Sequence, residues 1–211
     1  MLTCAALPGG PDFNPIEEIR EGRADSALAE GVYVASAIEA GHDLTIIGNF
    51  FQRSALVIAG IKKYETLEAL QGKRVGVWCC GYDYPVKMML WKAGIDVEYV
   101  DQSFSMNQLY AGDIDLASAM GYNKLALLLE KVDPDTNFLR QLSDVSVFDP
   151  SAVGRPYMHN VVIVRTSRLQ ELAGQLVRAL RVVICTWVFV GTTHLLVRTR
   201  TQDRMPTTIG R

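Results

Sequence analysis

The sequence lacks the features that mark several classes of protein. Its four cysteines contain no C-x-x-C spacing and its three histidines are scattered, so neither a structural zinc site nor a secreted disulfide scaffold is expected. A formal net charge of −2 without a basic run argues against a nucleic-acid partner. The most apolar run, residues 182–190, is shorter than the roughly 20 residues that cross a bilayer. We therefore expect a chain that does not span a membrane.

Common catalytic and nucleotide-binding motifs are also absent. There is no G-x-G-x-x-G, no P-loop lysine pattern and no G-x-S-x-G elbow, which disfavours nucleotide binding and serine-hydrolase chemistry by those motifs. The opening segment MLTCAALPGG has neither a basic region nor a long apolar stretch, so no export signal is expected in the chain as it stands. The chain does contain 49% hydrophobic and 21% charged residues, enough apolar content for a sizeable core.

Short apolar runs alternate with helical patterns along the chain. Segments such as DSALAE, DLTIIGNF, RVGVW and NVVIVRT have the length and composition of buried strands, while NPIEEIREG and YPVKMMLWKAG have helical spacing with caps. This alternation predicts an α/β fold with parallel sheets. After residue 191 the chain is rich in arginine and threonine and has no apolar periodicity, which predicts a frayed tail.

One segment of the chain is repeated. Residues 19–31 (IREGRADSALAEG) align without gaps with residues 109–121 (LYAGDIDLASAMG), at an offset of 90. Each copy predicts a helix end, a glycine stop, a short turn and a strand of small residues. A glycine-ended helix before an apolar strand is common in any α/β unit, so a generic unit stays an alternative. The other interpretation is two similar lobes, each with its own sheet.

Four predicted strand ends gather aromatic, amide and carboxylate side chains. They are AEGVY, GNFFQRS, WCCGYDY and MGYNK. In open α/β sheets, ligands bind beyond the carboxyl ends of the strands, and aromatic faces with a few hydrogen-bonding groups suit a flat, polar ligand. The alternative for any single aromatic side chain is ordinary packing. The candidate ligand-binding residues are Glu30, Tyr33, Asn49, Gln52, Gly81, Tyr82, Asp83, Tyr122 and Asn123.

The turn WCCGYDY carries the most side-chain chemistry. The alternatives are a phosphate cradle, a metal site, a redox pair and a ligand pocket, of which the pocket is favoured. Adjacent cysteines in a strand point to opposite faces, so Cys79 and Cys80 are not expected to grip one metal. A vicinal disulfide is not expected either, because it would strain the backbone. We expect Gly81 to allow close backbone approach, and Asp83 to cap a helix that begins near Pro85.

The order of several segments resembles the thiamine pyrimidine synthase-like family. The segments are GRADSALAEG, IGNFFQRSALVIAG, TLEALQGKRVGVW, GYDYPVKMMLWKAGID and LYAGDIDLASAMGYNKLALLLE, and the resemblance covers residues 2–181 in order. That family includes solute-binding proteins of ABC importers for thiamine precursors and is similar to sulfonate-, taurine- and nitrate-binding proteins. The resemblance implies a two-lobed, type II periplasmic-binding-protein-like α/β fold with the ligand in the cleft.

The resemblance also implies a division of the chain. Residues 1–60 would form the first part of lobe one and residues 61–150 lobe two. Residues 151–190 would supply the return crossover and the C-terminal helix of lobe one, and residues 191–211 the frayed tail. Family members normally begin with a strand and a helix ahead of the segment corresponding to LTCAALPGG, so we expect lobe one to lack its first strand and helix.

The function implied by the resemblance is binding of a thiamine-pyrimidine precursor or a similar small heterocycle by hinge closure of the two lobes. An ABC permease would be the partner, and the location would be periplasmic or extracytoplasmic. The carboxylate and amide candidates would hydrogen-bond the ligand, and Tyr33, Tyr82 and Tyr122 would stack on it. No catalytic residue, metal or cofactor is expected on this interpretation.

Two alternatives stay open. One is a thiamine pyrimidine synthase that uses pyridoxal phosphate and iron; its lysine, histidine and cysteine-rich motif have no match in this chain. The other is a truncated fragment that cannot close a cleft. Many relatives also carry Tyr-Asn-Glu where this chain has Tyr122, Asn123 and Lys124, which changes the charge that this strand end would offer a ligand.

Overall fold

A computed structural model describes residues 5–7, 9, 13–51, 54–153 and 158–202, without the side chains of residues 50, 153 and 187–202. The chain divides into two compact units. One unit, Ala5–Thr166, holds both sheets of the protein. The other unit contains the C-terminal helix.

Helices and strands alternate, as the sequence predicts. The strands are β1 (Ser26–Ala29), β2 (Thr45–Phe51), β3 (Leu56–Gly60), β4 (Arg74–Val77), β5 (Glu98–Asp101), β6 (Leu116–Met120), β7 (Ser146–Phe148) and β8 (His159–Val164). The helices are α1 (Pro15–Arg20), α2 (Gly31–Glu39), α3 (Asp83–Lys92), α4 (Asn107–Ala111), α5 (Lys124–Glu130), α6 (Pro150–Val153) and α7 (Leu169–Gln202). Two short 3-10 helices, Leu67–Leu70 and Thr166–Arg168, complete the described elements.

Local sequence chemistry sets the ends of several helices. The Asn14 side chain accepts a hydrogen bond of 3.1 Å from the Ile16 N–H, and Pro15 occupies the first helical position of α1. Gly22 after α1 and Gly112 after α4 both adopt left-handed backbone angles, with φ values of 76° and 78°. Glycine adopts this conformation without steric cost, so each helix ends where the sequence predicts a stop.

Strands β1, β8 and β2, in that order, form a three-stranded sheet, called sheet A. Both pairings are antiparallel, because β8 lies between two strands that run the other way. The sequence-based expectation of parallel sheets is therefore wrong for sheet A. The chain returns through β8 after residue 150, and local sequence does not specify the direction of that insertion. Sheet A with α1 and α2 forms lobe one.

Five strands, in the order β5-β4-β6-β3-β7, form sheet B. Strand β4 is parallel to β5 and to β6, whereas β3 is antiparallel to both β6 and β7. Sheet B with α3, α4 and α5 forms lobe two. The chain passes from sheet A to sheet B between Phe51 and Leu56 and returns between Phe148 and His159. The α/β, two-lobed fold class expected from the sequence is confirmed.

The two copies of the sequence repeat occupy equivalent places in different sheets. In lobe one, Gly22 is followed by β1, which pairs antiparallel with the crossover strand β8. In lobe two, Gly112 is followed by β6, which pairs antiparallel with the crossover strand β3. The prediction of two similar lobes with equivalent turns is confirmed, since a generic α/β unit would not require the antiparallel partner in both copies.

Three clusters of buried apolar side chains form the cores of the two lobes. In lobe one, Ile19 of α1 and Val34 of α2 are buried against Ile163 of β8. In lobe two, one face of sheet B packs with α3 around Leu90, and the other packs with α4 and α5 around Leu128. Each side chain of this size contributes about 1.5–3 kcal/mol when it is fully buried. Each lobe therefore has its own core, and the two sheets hold their strand ends in fixed positions.

The C-terminal helix is longer than the sequence predicts. Helix α7 continues to Gln202, into the segment whose composition predicts a frayed tail. Past Gly191, the segment up to Gln202 contains no proline, and the next proline is Pro206, so nothing in the backbone chemistry forces the helix to stop earlier.

Among the described residues, no helix combines the length and the apolar character needed to cross a bilayer. The lobe boundaries at residues 60, 150 and 190 stay a prediction.

Candidate functional site

The two lobes meet where the end of β1 faces the turn that follows β4. A Cβ placed on Gly81 in that turn would lie 2.6 Å from the Tyr33 Cβ and 3.0 Å from the Glu30 Cβ. Contacts this short show that the backbone of lobe two approaches α2 of lobe one as closely as a glycine permits. With a φ of 97°, Gly81 also has a backbone conformation that favours glycine. The close approach at Gly81 is made here by Tyr33 and Glu30 of lobe one, and its approach to a ligand stays a prediction.

Glu30 is the most unusual side chain at this junction. It follows β1, its side chain is fully buried, and it makes no capping bond to α2. Its Oε2 lies 3.0 Å from Nδ1 of His159, whose side chain is also fully buried. The two atoms are close, but neither carboxylate oxygen of Glu30 has an aligned hydrogen-bond partner among the described residues. The close contact is therefore not an aligned hydrogen bond, and the carboxylate keeps its capacity to accept hydrogen bonds.

A chain of polar contacts runs from Glu30 into lobe two. His159 Nε2 lies 3.0 Å from Nδ2 of Asn160, and the Tyr82 hydroxyl donates to Oδ1 of Asn160 at 2.7 Å. An amide N–H can only donate, so the consistent assignment has Nε2 accepting from Asn160 and the ring proton on Nδ1, facing Glu30. Tyr82 is in lobe two and Asn160 in lobe one, so this hydrogen bond spans the lobes.

Tyr82 is surrounded by aromatic side chains and is partly shielded from water. Its ring packs edge-on against Trp78, with centroids 6.3 Å apart, and against His159 at 5.9 Å. Burial raises the pKa of Tyr82 to about 12, and the nearby Glu30 and Tyr122 add to this rise, while the hydrogen bond to Asn160 opposes it. Tyr82 is therefore a neutral hydrogen-bond donor over the whole physiological pH range.

Ser54 completes a serine–histidine–glutamate grouping that resembles a catalytic triad only in composition. The Ser54 hydroxyl lies 3.3 Å from Nδ1 of His159, the same nitrogen that faces Glu30. In a catalytic triad, the nucleophile and the carboxylate contact different nitrogens of the histidine ring. Ser54 Oγ also accepts a hydrogen bond from the Leu56 N–H at 3.0 Å, so its role is to begin β3. These three side chains therefore do not form a catalytic triad.

Four of the predicted site residues come together at this junction. They are Glu30, Tyr33, Gly81 and Tyr82. The Tyr33 ring is half-buried, and its hydroxyl accepts a hydrogen bond of 3.1 Å from the Asn14 side chain. Tyr122 is close enough to Tyr82 to influence its pKa, and its own side chain is 65% exposed.

Other predicted residues make their contacts elsewhere. Asn49 is exposed and accepts from the Phe51 N–H, and Asn123 is exposed at the start of α5. Asp83 does not cap α3 as expected, because α3 begins at Asp83 itself and the carboxylate pairs with Lys87 one turn later at 2.6 Å. Gln52 lies outside the described residues.

Cys79 and Cys80 form a vicinal disulfide, contrary to the sequence-based expectation. The expectation was based on the backbone strain of a vicinal disulfide; in the structure β4 ends at Val77 and both cysteines lie in the turn. Cys80 has a left-handed φ of 62° there, so the two side chains no longer point to opposite faces. The disulfide directly precedes Gly81, and Cys79 is exposed. Among the described residues, no group of three His, Cys, Asp or Glu side chains is arranged to hold a metal ion.

His159 and Asn160 were not among the site residues predicted from the sequence. Both stand at the start of β8, the return strand, whereas the candidate residues were sought at the carboxyl ends of predicted strands. A signal was present, because a histidine and an asparagine directly precede the apolar run VVIV. Polar side chains at the start of an antiparallel strand lie at the same sheet edge as the carboxyl ends of its neighbours. That rule places His159 beside Glu30.

The comparisons with known proteins agree with this architecture. The family described as "NMT1/THI5 like" matches residues 2–187. The structure is similar to the periplasmic aliphatic sulphonate binding protein SsuA from Escherichia coli, with a TM-score of 0.62 and 17% identity over 83% of this chain and 58% of that one. It is also similar to the alkanesulfonate-binding protein SsuA from Xanthomonas axonopodis pv. citri bound to MOPS, with a TM-score of 0.61 and 18% identity over 82% and 58%.

A third similar structure is the ligand-binding component of an ABC-type import system from Staphylococcus aureus, with zinc bound; its TM-score is 0.54, with 14% identity over 78% of this chain and 55% of that one. No curated protein sequence matches the chain. The chain spans less than two thirds of the length of these three relatives. At such low identity, the likeness shows the fold.

Proposed function

The chain belongs to the NMT1/THI5-like family, and on that premise we propose that it is the solute-binding component of an ABC importer, with a thiamine-pyrimidine precursor or a similar small heterocycle as its ligand. The ligand would be enclosed between the lobes by hinge closure and delivered to a permease. The observation that carries this proposal is the Glu30 carboxylate, buried at the junction of the lobes without an aligned hydrogen-bond partner among the described residues.

Burying a carboxylate without hydrogen-bond donors is energetically unfavourable. Removing it from water costs several kcal/mol, and that cost is recovered only when hydrogen-bond donors replace the lost water. His159 offers one ring N–H, so the charge is only partly compensated. A ligand with an exocyclic amino group or a protonated ring nitrogen supplies the missing donors. An aminopyrimidine has both an amino group and a flat ring.

The same carboxylate argues against an anionic solute at this point of the cleft. A sulfonate beside Glu30 would meet like-charge repulsion of roughly 4 kcal/mol at 4 Å for an effective dielectric constant near 20. Tyr33 of lobe one lies beside Gly81, and the Tyr82 ring of lobe two lies beside His159, so both tyrosines are at the junction. We therefore place the heterocycle against these rings, with its donor edge toward Glu30.

The Cys79–Cys80 disulfide supports an extracytoplasmic location. Disulfides persist in oxidising compartments such as the bacterial periplasm and are rare in the cytosol. Cys79 is exposed, so a cytosolic thiol pool would have direct access to this bond. The location matches the delivery of a captured solute to a membrane permease from outside.

Binding of the hydroxymethyl aminopyrimidine precursor of thiamine tests the proposal. Titration calorimetry should show saturable binding, and the ligand at about a hundredfold over its Kd should stabilise the native state by about 2.7 kcal/mol. Glu30→Gln should weaken binding roughly 10- to 100-fold, because a hydrogen bond to a charged group is lost. The fold should keep its stability, since the substitution removes a buried charge.

Glu39→Gln is the matched control, because Glu39 is an exposed residue at the other end of α2. It should leave affinity unchanged. Binding of an aliphatic sulfonate in place of the aminopyrimidine would contradict the proposal. A pyridoxal aldimine absorption band that borohydride fixes on a lysine would instead favour the synthase. The absence of any ligand response would favour a fragment that cannot close.

A further inference from the structure

Lys124 is a second buried charge at the cleft edge. Its residue is only 6% exposed, and its Nζ lies 3.5 Å from the centroid of the Phe104 ring. Among the residues that the structure describes, no carboxylate forms an ion pair with it; the ring face is the contact that its ammonium makes. Burial lowers the pKa of Lys124, as expected for an ammonium removed from water without an acidic partner. A cation–π contact compensates only part of that lost hydration.

The place of Lys124 in sheet B is the position where ligands are expected. From β4 the chain goes to β5 on one side, and the next parallel strand, β6, lies on the other side of β4. This reversal makes the β4–β6 boundary a topological switch point, and ligands bind beyond the carboxyl ends of strands at such points. Lys124 follows β6 and Phe104 follows β5, so their contact reaches across the carboxyl end of β4.

Glu30 borders the same strand end from the opposite lobe. It contacts Gly81 in the turn that leaves β4, while Lys124 and Phe104 flank that strand end within lobe two. The junction thus has a buried acidic group on one side and a buried basic group on the other. Within the described part of the chain Lys124 forms no ion pair, and the Glu30 carboxylate lies against the His159 ring. A ligand that complements both carries a hydrogen-bond donor at one end and a negative charge at the other.

We propose that Lys124 is the recognition site for an anionic substituent on the heterocycle, a phosphate or a carboxylate, and that the transported solute is therefore a charged heterocycle whose donor edge faces Glu30. This inference rests on the proposed function and deepens it. An anionic substituent is also compatible with the buried Glu30 carboxylate. The substituent lies against Lys124 in lobe two, whereas the donor edge of the ligand lies against Glu30 in lobe one.

The competing explanation is structural: the Lys124 side chain would only hold the Phe104 ring in place within lobe two. Lys131, at the other end of α5, provides a matched control, because its Nζ also lies 3.5 Å from a ring centroid, that of Tyr110, while the residue itself is exposed. If the cation–π contact alone matters, Lys124→Met and Lys131→Met should affect stability and leave ligand selectivity unchanged. If Lys124 recognises an anion, only Lys124→Met should change selectivity.

Calorimetry with three related probes tests the proposal. They are the hydroxymethyl aminopyrimidine, its phosphate monoester and the corresponding ring with a carboxylate in place of the hydroxyl. The wild-type protein should bind at least one anionic probe roughly 10- to 100-fold more tightly than the neutral alcohol. Lys124→Met should reduce that ratio to about one, whereas Lys131→Met should preserve it. Lys124→Arg, which keeps the charge, should retain part of the preference.

The outcomes separate the two levels of the proposal. Equal binding of the neutral and anionic probes by the wild-type protein overturns the role of Lys124 and leaves the proposed function standing. A preference that survives in Lys124→Met also overturns it. If none of the three probes binds, the proposed function fails together with this inference. Tighter binding of the phosphate than of the carboxylate, or the reverse, identifies which anion the site accepts.

Discussion

The Tyr82 hydroxyl in lobe two donates a hydrogen bond of 2.7 Å to Oδ1 of Asn160 in lobe one. Asn160 contacts His159, and His159 faces Glu30, so a single phenol is linked to the buried carboxylate through two side chains. Because the donor and the acceptor belong to different lobes, this hydrogen bond forms only while the lobes are together. If the lobes close on a ligand as proposed, this hydrogen bond couples that closure to the surroundings of Glu30.

Tyr82→Phe should change how stability depends on pH. The native pKa of Tyr82 is raised to about 12, so between pH about 10 and about 12 the native state holds a proton that the unfolded chain has released. The free energy of unfolding should therefore fall with rising pH in this window, by up to about 2.7 kcal/mol for a shift of about two units. Tyr82→Phe should lack this component of the fall and lose about 1 kcal/mol at neutral pH.

Urea unfolding from pH about 9 to about 12 measures this effect as the difference between variant and wild type. Tyr84→Phe is the control, because Tyr84 is the nearest tyrosine in sequence and is 44% exposed. Its alkaline profile should match the wild type. A Tyr82→Phe profile that parallels the wild type would show that the phenol is not buried in solution.

Gly81 and Gly94 form a matched pair for testing the junction. Both have positive φ values, 97° and 69°, but a Cβ on Gly94 would meet nothing within 4 Å, whereas one on Gly81 would lie 2.6 Å from the Tyr33 Cβ. Gly94→Ala should cost only the left-handed conformation, about 1–2 kcal/mol. Gly81→Ala should cost that plus the clash, typically a further 1–3 kcal/mol, or force the lobes apart.

Urea unfolding reports the two stabilities, and titration with the aminopyrimidine reports affinity. Gly81→Ala should weaken binding, since Tyr33 and Glu30 are displaced, while Gly94→Ala should bind normally. Equal stability and equal affinity for the two variants would mean that the turn after β4 does not touch lobe one.

Much of the fold could be predicted because it is encoded locally. The glycine stops at Gly22 and Gly112, the Asn14 cap and the small-residue strands β1 and β6 are visible in short windows of sequence. The sequence repeat then predicted two lobes of similar structure without any information about contacts between distant residues. The polar and aromatic residues at predicted strand ends made Glu30 and Tyr82 candidates, and the structure brings both to the same junction. Tyr82 follows the parallel strand β4, as the rule for parallel sheets expects, whereas Glu30 follows the antiparallel strand β1.

The remainder depended on contacts between distant parts of the chain. His159 is far from Glu30 in sequence, and only the antiparallel insertion of β8 brings them within 3.0 Å. Strand β7 has three residues, too few for a periodic pattern, and it forms by pairing with β3. The disulfide was missed because a strained vicinal pair was not expected, whereas in the turn after β4 Cys80 adopts a left-handed conformation. Each miss is a case in which tertiary structure overrides a local rule.

Asp115 should be more important for stability than its partly exposed position suggests. Burial alone would raise its pKa, but hydrogen bonds from the backbone N–H and the guanidinium of Arg74 lower the pKa below its usual value. Because the native pKa is depressed, this contribution is present above the unfolded pKa of about 3.9 and is lost as pH falls through the native value. Asp115→Asn should destabilise the protein by roughly 1–2 kcal/mol at neutral pH.

The measurement is urea unfolding at neutral and acidic pH. The difference between wild type and Asp115→Asn should shrink as the solution is acidified. Asp113→Asn serves as control, because Asp113 is an exposed residue in the same turn. A difference that is constant with pH would show that the carboxylate charge does not matter at this position.

The Cys79–Cys80 disulfide should constrain the turn that meets Glu30 and Tyr33. Cleavage after Arg74 and Lys87 releases a peptide that contains both cysteines and no other. From unreduced protein that peptide should be lighter by two hydrogen atoms than after treatment with a dithiol, which is oxidised as the protein disulfide is reduced. Reduction frees Cys80 to leave its left-handed conformation, which costs about 1–2 kcal/mol to restore on binding.

Affinity for the aminopyrimidine should therefore fall about tenfold in the presence of the dithiol. The double variant Cys79→Ser, Cys80→Ser should bind like the reduced protein and show no response to reductant, with unchanged metal content. Cys185→Ser is the control, because Cys185 is a free, exposed cysteine; it should respond to the dithiol as the wild type does. If the peptide from unreduced protein carries two free thiols, the turn is not held by a disulfide and Gly81 alone sets its approach to lobe one.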